Sequence, residues 1–112
     1  MGEYKFQSLS VYQIALDYVD QIYELVSSLP EKEKFNLSSQ FTRAATSVAL
    51  NIAEGSTGQS NKEQIRFLNL SLRSYLETVA CLDICQRRKY FITEDLIEIR
   101  KTGKTLFYKF LD

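Results

Sequence analysis

Arg43-Ala-Ala-Thr-Ser-Val-Ala-Leu-Asn-Ile-Ala-Glu-Gly-Ser-Thr-Gly58 is the stretch that decides how this chain folds. In and just before it, Phe41, Ala44, Ala45, Val48, Ala49, Ile52 and Ala53 recur at steps of three and four, which lays a narrow apolar stripe along one face of a helix. Small residues dominate the stripe, so a neighbouring helix can come close. A polar line, Arg43, Ser47, Asn51 and Glu54, runs beside it, and Gly55 follows as a residue able to take a left-handed conformation after the last turn.

Toward the N-terminus, residues 1 to 7 read as a short tail. Ser10 can cap a helix, with Gln13 completing a reciprocal box and Leu9 stapling against Ile14. Tyr12, Ala15, Val19, Ile22, Tyr23 and Val26 then keep helical spacing, flanked by a second line of Val11, Ile14, Tyr18 and Leu25, until Pro30 stops the helix. The charged run after Pro30 reads as a solvated turn, and Asn36 is the expected cap of the second helix.

Beyond the opening stretch, Gly55-Ser-Thr-Gly58-Gln59 places two glycines ahead of a helix start, an arrangement that can cradle phosphate on free N–H groups. No Gly-Lys-Ser or Gly-Lys-Thr follows and no strand precedes, so it does not match a nucleotide loop. Ser60 and Glu63 form another capping box that opens the longest helix. On it, Ile65, Leu68, Leu72, Tyr75, Leu76, Val79 and Leu82 make one apolar line, while Phe67, Leu70, Cys81 and Ile84 make another at a different angle. A helix apolar on two sides must be covered on two sides, which predicts a contact between identical subunits.

Arg87, Arg88 and Lys89 close that helix, where positive charge suits the C-terminal dipole. Thr93 is the expected cap of the last helix, with Glu94 and Asp95 in its first turn and Ile92 stapling to Ile97. Leu96, Ile99, Leu106 and Phe110 continue a packing face with Ile97 and Phe107. Gly103 interrupts it, at a cost of about 1 kcal/mol relative to alanine, and marks the last helix as the one to fray or bend. The expected helices span about 8–29, 36–55, 60–89 and 93–111, in one domain covering residues 1–112.

These elements predict an all-α fold, an antiparallel up-down-up-down four-helix bundle assembling into a homo-oligomeric ring. On the third helix, Arg66, Asn69, Arg73 and Glu77 form a polar line. If it meets Arg43, Asn51 and Glu54, the carboxylates and arginines make a charge-assisted network that fixes helix register or a subunit contact.

Lysine plus arginine equals aspartate plus glutamate at 14 each, so no global field draws the chain to nucleic acid or anionic lipid. A basic rim of Arg87, Arg88, Lys89, Arg100, Lys101 and Lys104 is the candidate nucleic-acid contact. Histidine is absent, which removes the commonest general base and metal ligand. Cys81 and Cys85, one turn apart, read as small apolar packing residues. No catalytic, cofactor-binding or metal site is expected. No apolar run approaches the ~18 residues of a membrane span, and Met-Gly-Glu-Tyr-Lys-Phe lacks a signal peptide's apolar core, so a cytoplasmic protein is the default expectation.

Arg43-Ala-Ala with Ser47-Val48 and Asn51-Ile-Ala-Glu-Gly55, followed by Lys62-Glu63 and Arg66-Phe67-Leu68, resembles the core motif of the bacterial four-helix-bundle proteins named for 23S rRNA intervening sequences. Leu9 through Ala15 and Leu37 through Gln40 resemble that family's first- and second-helix openings. The resemblance implies a small all-helical protein whose relatives form ring-like homopentamers. A related bundle, the accessory variability protein of diversity-generating retroelements, is a basic pentameric barrel that engages nucleic acid and a reverse transcriptase. This chain departs from that relative in its neutrality, and from the family pattern in Tyr12 where Trp is frequent and Ala49 where Pro is frequent.

Three functions compete on this reading. The first is an oligomeric module associating with RNA or DNA through a rim multiplied by avidity. The second is a protein-interaction scaffold without nucleic acid. The third, an enzyme, lacks an activated nucleophile or base in the sequence.

Overall fold

In a computed structural model, residues 2–57 and 60–111 are described. They form helices α1 (Ser10–Val26), α2 (Leu37–Gly55), α3 (Asn61–Arg87) and α4 (Ile97–Leu111), with short 3-10 turns at Lys5–Ser8, Glu31–Glu33 and Thr93–Leu96 and no strand among the described residues. α1 and α3 each pack against α2 and α4, so α1 and α3 lie across the diagonal of the bundle. Ser71 meets Val48 and Phe67 meets Gly55, while Arg100 meets Asp83 and Phe107 meets Tyr75. In both series one chain number rises as the other falls, so α3 runs antiparallel to α2 and to α4.

The small-residue stripe acts as its composition demands. Phe41, Ala44, Ala45, Val48, Ala49 and Ile52 are buried, and α3 comes near enough for Ser71 Oγ to donate to the Val48 carbonyl at 2.9 Å. Gly55 serves the same approach. It ends α2 in helical conformation, not in the left-handed region expected of it, and Ser56 at the cap has φ −92°. A methyl group on Gly55 would sit 2.9 Å from Cβ of Phe67. The glycine is there for space.

The core-facing side of α3 keeps Tyr75, Cys81 and Leu82 of the expected lines and adds polar residues to them. Its buried residues are Ser71, Tyr75, Thr78, Cys81, Leu82 and Cys85. Thr78 Oγ1 donates to the Tyr75 carbonyl at 2.5 Å, which leaves it to accept from the Tyr18 hydroxyl at 2.8 Å. Tyr18 is wholly buried, and desolvation drives its phenol pKa well above the ordinary value despite that bond. A chain of two hydroxyls thus crosses the diagonal and fixes α1 against α3. Gly103 completes the cluster. α4 continues through it without a break, and a Cβ there would lie 3.0 Å from the Tyr75 hydroxyl and 3.2 Å from Cε1 of Tyr18.

Helix ends follow local hydrogen bonding, and several depart from expectation. Ser10 is the first residue of α1 with no side-chain cap before it, and Gln13 Nε2 donates to the Gln7 carbonyl at 2.7 Å instead of closing a box. Residues 5–8 form a 3-10 turn, with Phe6 edge-on to Tyr12 at 5.0 Å, in place of a free tail. α1 stops at Val26, before Pro30, because Ser27 and Ser28 bend back to the carbonyls of Glu24 and Leu25. Asn36 occupies the N-cap of α2, but its side chain accepts from Gln40 Nε2, not from the backbone. Ser60 caps α3, accepting from the Glu63 N–H at 3.3 Å, but the reciprocal half of the expected box is not formed, because the Glu63 carboxylate lies 3.7 Å from Arg66 instead.

The far end of α3 closes through Lys89, held at φ 65°, with Lys89 N–H donating to Gln86 and Tyr90 N–H to Cys85. That is a Schellman closure built on a residue other than glycine. Thr93 caps nothing: its hydroxyl accepts from Gln86 Nε2 at 2.8 Å, and Asp95 takes the Ile92 N–H at the start of the 3-10 turn. α4 proper therefore begins at Ile97, later than expected.

Two stability measurements check this packing. Gly55→Ala gains about 1 kcal/mol of helix propensity but forces α2 and α3 apart, and the expected net result in urea denaturation is destabilisation by about 1–2 kcal/mol. Thr78→Val strands the buried Tyr18 hydroxyl and costs about 1–3 kcal/mol, whereas Tyr18→Phe costs about 1 kcal/mol. Adding Tyr18→Phe to Thr78→Val is expected to recover part of the loss, because the stranded donor is then gone.

Candidate interaction surface

The surplus predicted for α3 stands in the solvent. With Ser71, Thr78 and Cys85 turned inward, Ile65 is 59% exposed, Leu76 50% and Ile84 49%, and Leu68 is exposed as well. Helical spacing groups Ile65 and Leu76 with Lys62, Asn69, Arg73 and Ala80 on the side opposite the core. Leu68 sits at the edge of this face, lining a groove of about 350 Å³ with Leu9, Val11 and Ile52.

The polar residues of α2 and α3 do not meet within one chain. Arg43 points outward and reaches Ser39 of its own helix at 3.4 Å, and Asn51 donates to the Ser47 carbonyl at 2.9 Å. Glu54, Arg73 and Glu77 are exposed. Arg66 lies 3.7 Å from Glu63 and stacks its guanidinium over Phe67. The two ion pairs among the described residues, Arg66–Glu63 and Arg100–Asp83, leave α2 and α3 unlinked. α2 and α3 join through small side chains, so their polar lines project from the outer sides of two separate helices.

The basic residues also divide. Arg87, Arg88 and Lys89 are exposed at the closed end of α3, and Lys101 and Lys104 are exposed on α4. Arg100 is half-buried and already engaged, donating to Asp83 at 3.1 Å and to Gln86 at 3.2 Å. It ties α4 to α3 and is withdrawn from the rim. Gly58 and Gln59 of the phosphate-cradle reading lie outside the described residues.

A cleft of about 590 Å³ opens between α1 and the segment joining α3 to α4, lined by Asp20, Glu24, Asp95 and Glu98 with Leu25 and Phe91. Gln21 borders it, with Oε1 buried and unbonded. No group of three His, Cys, Asp or Glu suited to a metal ion occurs among the described residues. Across the end of the bundle, the Tyr90 hydroxyl donates to Glu33 Oε2 at 2.7 Å, and that bond holds the Glu33 carboxyl below its ordinary pKa. Cys81 and Cys85 are free thiols in the core, each pushed up to about 11 by burial, with Glu77 adding to the shift at Cys81. Both stay protonated near neutrality and behave as packing residues.

Sequence reasoning found the excess of apolar surface and placed Tyr75, Cys81, Leu82 and Cys85 in the packing, but missed that Ser71 and Thr78 face inward. The signal was present as Ser71, Thr78 and Cys85 at seven-residue spacing, a line of small side chains matching the small stripe of α2.

This fold and its motif define a family. Residues 7–108 match the 23S rRNA-intervening sequence protein family, and the chain belongs to it. A solved structure from Bacteroides thetaiotaomicron, described as a protein of unknown function from the S23 ribosomal protein family, is 27% identical and superposes with a TM-score of 0.82, covering 90% of this chain and 94% of that one. No curated protein matches. No helix among the described residues is long and apolar enough to cross a membrane.

Proposed function

We propose that the chain is a non-enzymatic helical-bundle module that works as a homo-oligomer in the cytoplasm, using the outer face of α3 for self-association. One observation carries the reading: Ile65, Leu76 and Ile84, three large apolar side chains of a single helix, are each about half or more exposed in the isolated chain. Ile65 and Leu76 share the side of α3 opposite the core, and exposed apolar side chains on one shared face support an interaction site. The ring-like homopentamers implied by the family resemblance fit such a surface.

The groups whose proton affinity departs most, Tyr18, Cys81 and Cys85, are shifted upward by burial in the core and so are held in their uncharged forms. With no histidine in the sequence, this supports a binding role over a catalytic one. In an oligomer, Arg87, Arg88, Lys89, Lys101 and Lys104 from each subunit present repeated positive charge to RNA or DNA phosphates, and repetition turns weak contacts into useful affinity. The alternative, a protein-interaction scaffold without nucleic acid, is favoured by the engagement of Arg100 with Asp83 and by the chain's neutrality.

Sedimentation equilibrium of the pure protein is expected to give a multimer, and Leu76→Lys, at an exposed position, to lower the mass while helix content stays unchanged. A wild-type monomer would overturn the proposal. Titration of a labelled structured RNA at two salt concentrations separates the readings: binding that weakens steeply with salt supports nucleic-acid association, and no binding at low salt leaves the scaffold.

A further inference from the structure

From the charges on its opposite faces, we infer that the partner of the α3 surface is the outer face of α1 on a second copy of this chain, in a head-to-tail contact. The inference rests on the self-association proposed above and adds which two surfaces meet. The chain is neutral overall, but its charge is segregated by helix. α1 carries Asp17, Asp20 and Glu24 and no lysine or arginine. All three carboxylates are exposed on the side away from Tyr18 and Ile22, next to two exposed apolar side chains, Leu16 and Tyr23.

The outer side of α3 has the opposite sign. Lys62, Arg66, Arg73 and Arg87 are exposed on this helix against Glu63, Glu77 and Asp83, and two of those three carboxylates are already engaged, Glu63 by Arg66 at 3.7 Å and Asp83 by Arg100 at 3.1 Å. Ile65 and Leu76 lie among them. Each face thus mixes exposed apolar residues with one prevailing charge, and the charges are complementary.

The spacing matches as well. Asp17 and Glu24 are seven residues apart, as are Arg66 and Arg73, so both pairs repeat after about 10.5 Å along a helix. Leu16 and Tyr23 keep the same interval on α1. Two helices laid side by side can therefore pair both carboxylates with both guanidinium groups. Arg66 gives up its long 3.7 Å contact with Glu63 to do so.

Because α1 and α3 lie across the bundle diagonal, the two faces look in opposite directions. A contact between them joins different surfaces of successive copies. Such an interface is heterologous, and it propagates around a closed ring or along an open filament, not into a two-fold dimer.

Charge reversal tests the pairing. Asp17→Lys with Glu24→Lys makes both faces positive, and Arg66→Glu with Arg73→Glu makes both negative. Each double variant is expected to sediment at the monomer mass with helix content unchanged, and one chain carrying all four substitutions to regain the wild-type mass. If either double variant keeps the wild-type mass, or if the fourfold variant stays monomeric, the pairing is overturned while self-association of the wild type stands. A monomeric wild type would sink the underlying reading first.

A second measurement needs no variant to fold. Carbodiimide crosslinking of mixed isotope-labelled and unlabelled wild-type chains is expected to join Asp17, Asp20 or Glu24 of one copy to Lys62 of another. Inter-chain links that omit α1 contradict the assignment.

Discussion

The close approach of α2 and α3 is the constraint on which the rest of this structure depends. Ala44, Ala45, Val48 and Ala49 on one helix, with Gly55 at its end, allow Ser71 to touch the Val48 carbonyl and Phe67 to lie over the glycine. Contact at that range requires a small side chain where α3 meets α2, and Ser71 supplies it; Tyr75 packs its ring toward Tyr18 and Phe107 instead, and Ile65, Leu76 and Ile84 stay in solvent. The unfilled demand for burial on α3 follows from a well-filled interior. It is not a packing defect.

Burying hydroxyls in a small core carries a penalty unless each finds a partner. Here the Tyr18 hydroxyl, Thr78 Oγ1 and the Tyr75 carbonyl form one satisfied chain, and Gly103 lets α4 lie against the two tyrosine rings. Greasy side chains tolerate sliding, but a directional bond across the diagonal fixes α1 against α3. The same arrangement determines which side of each helix faces outward, and so which charges are displayed. The carboxylates of α1 and the outer cations of α3 look away from one another because the inner sides of the two helices are bonded together.

Much of this was legible in the sequence, in particular ways. Steps of three and four from Phe41 to Ile52 gave α2 its core face, and the two apolar angles of α3 anticipated the exposure of Ile65, Leu76 and Ile84. Ser60 marked the start of α3 because an N-cap hydroxyl is a local signal. Signals that depend on a neighbour were misread. Gly55 and Gly103 looked like a turn former and a weak point, but each is set by an approaching aromatic side chain. Ser71 and Thr78 looked polar, and their burial is evident only once their partners are known. Arg43, Glu54, Arg66 and Arg73 share periodicity, but periodicity does not say whether two polar lines face each other or face away. Arg100 has the chemistry of a phosphate contact and is engaged by Asp83.

Membership in the 23S rRNA-intervening sequence protein family accounts for the fold and leaves the surface as the place where function resides. Hydroxyl-radical footprinting of the α3 residues Ile65, Leu68 and Leu76, read by mass spectrometry across a dilution series, tests the central claim most directly. The account predicts that these side chains are protected at high protein concentration and become reactive together on dilution. Full reactivity at every concentration would contradict it, since the apolar face would then need no cover.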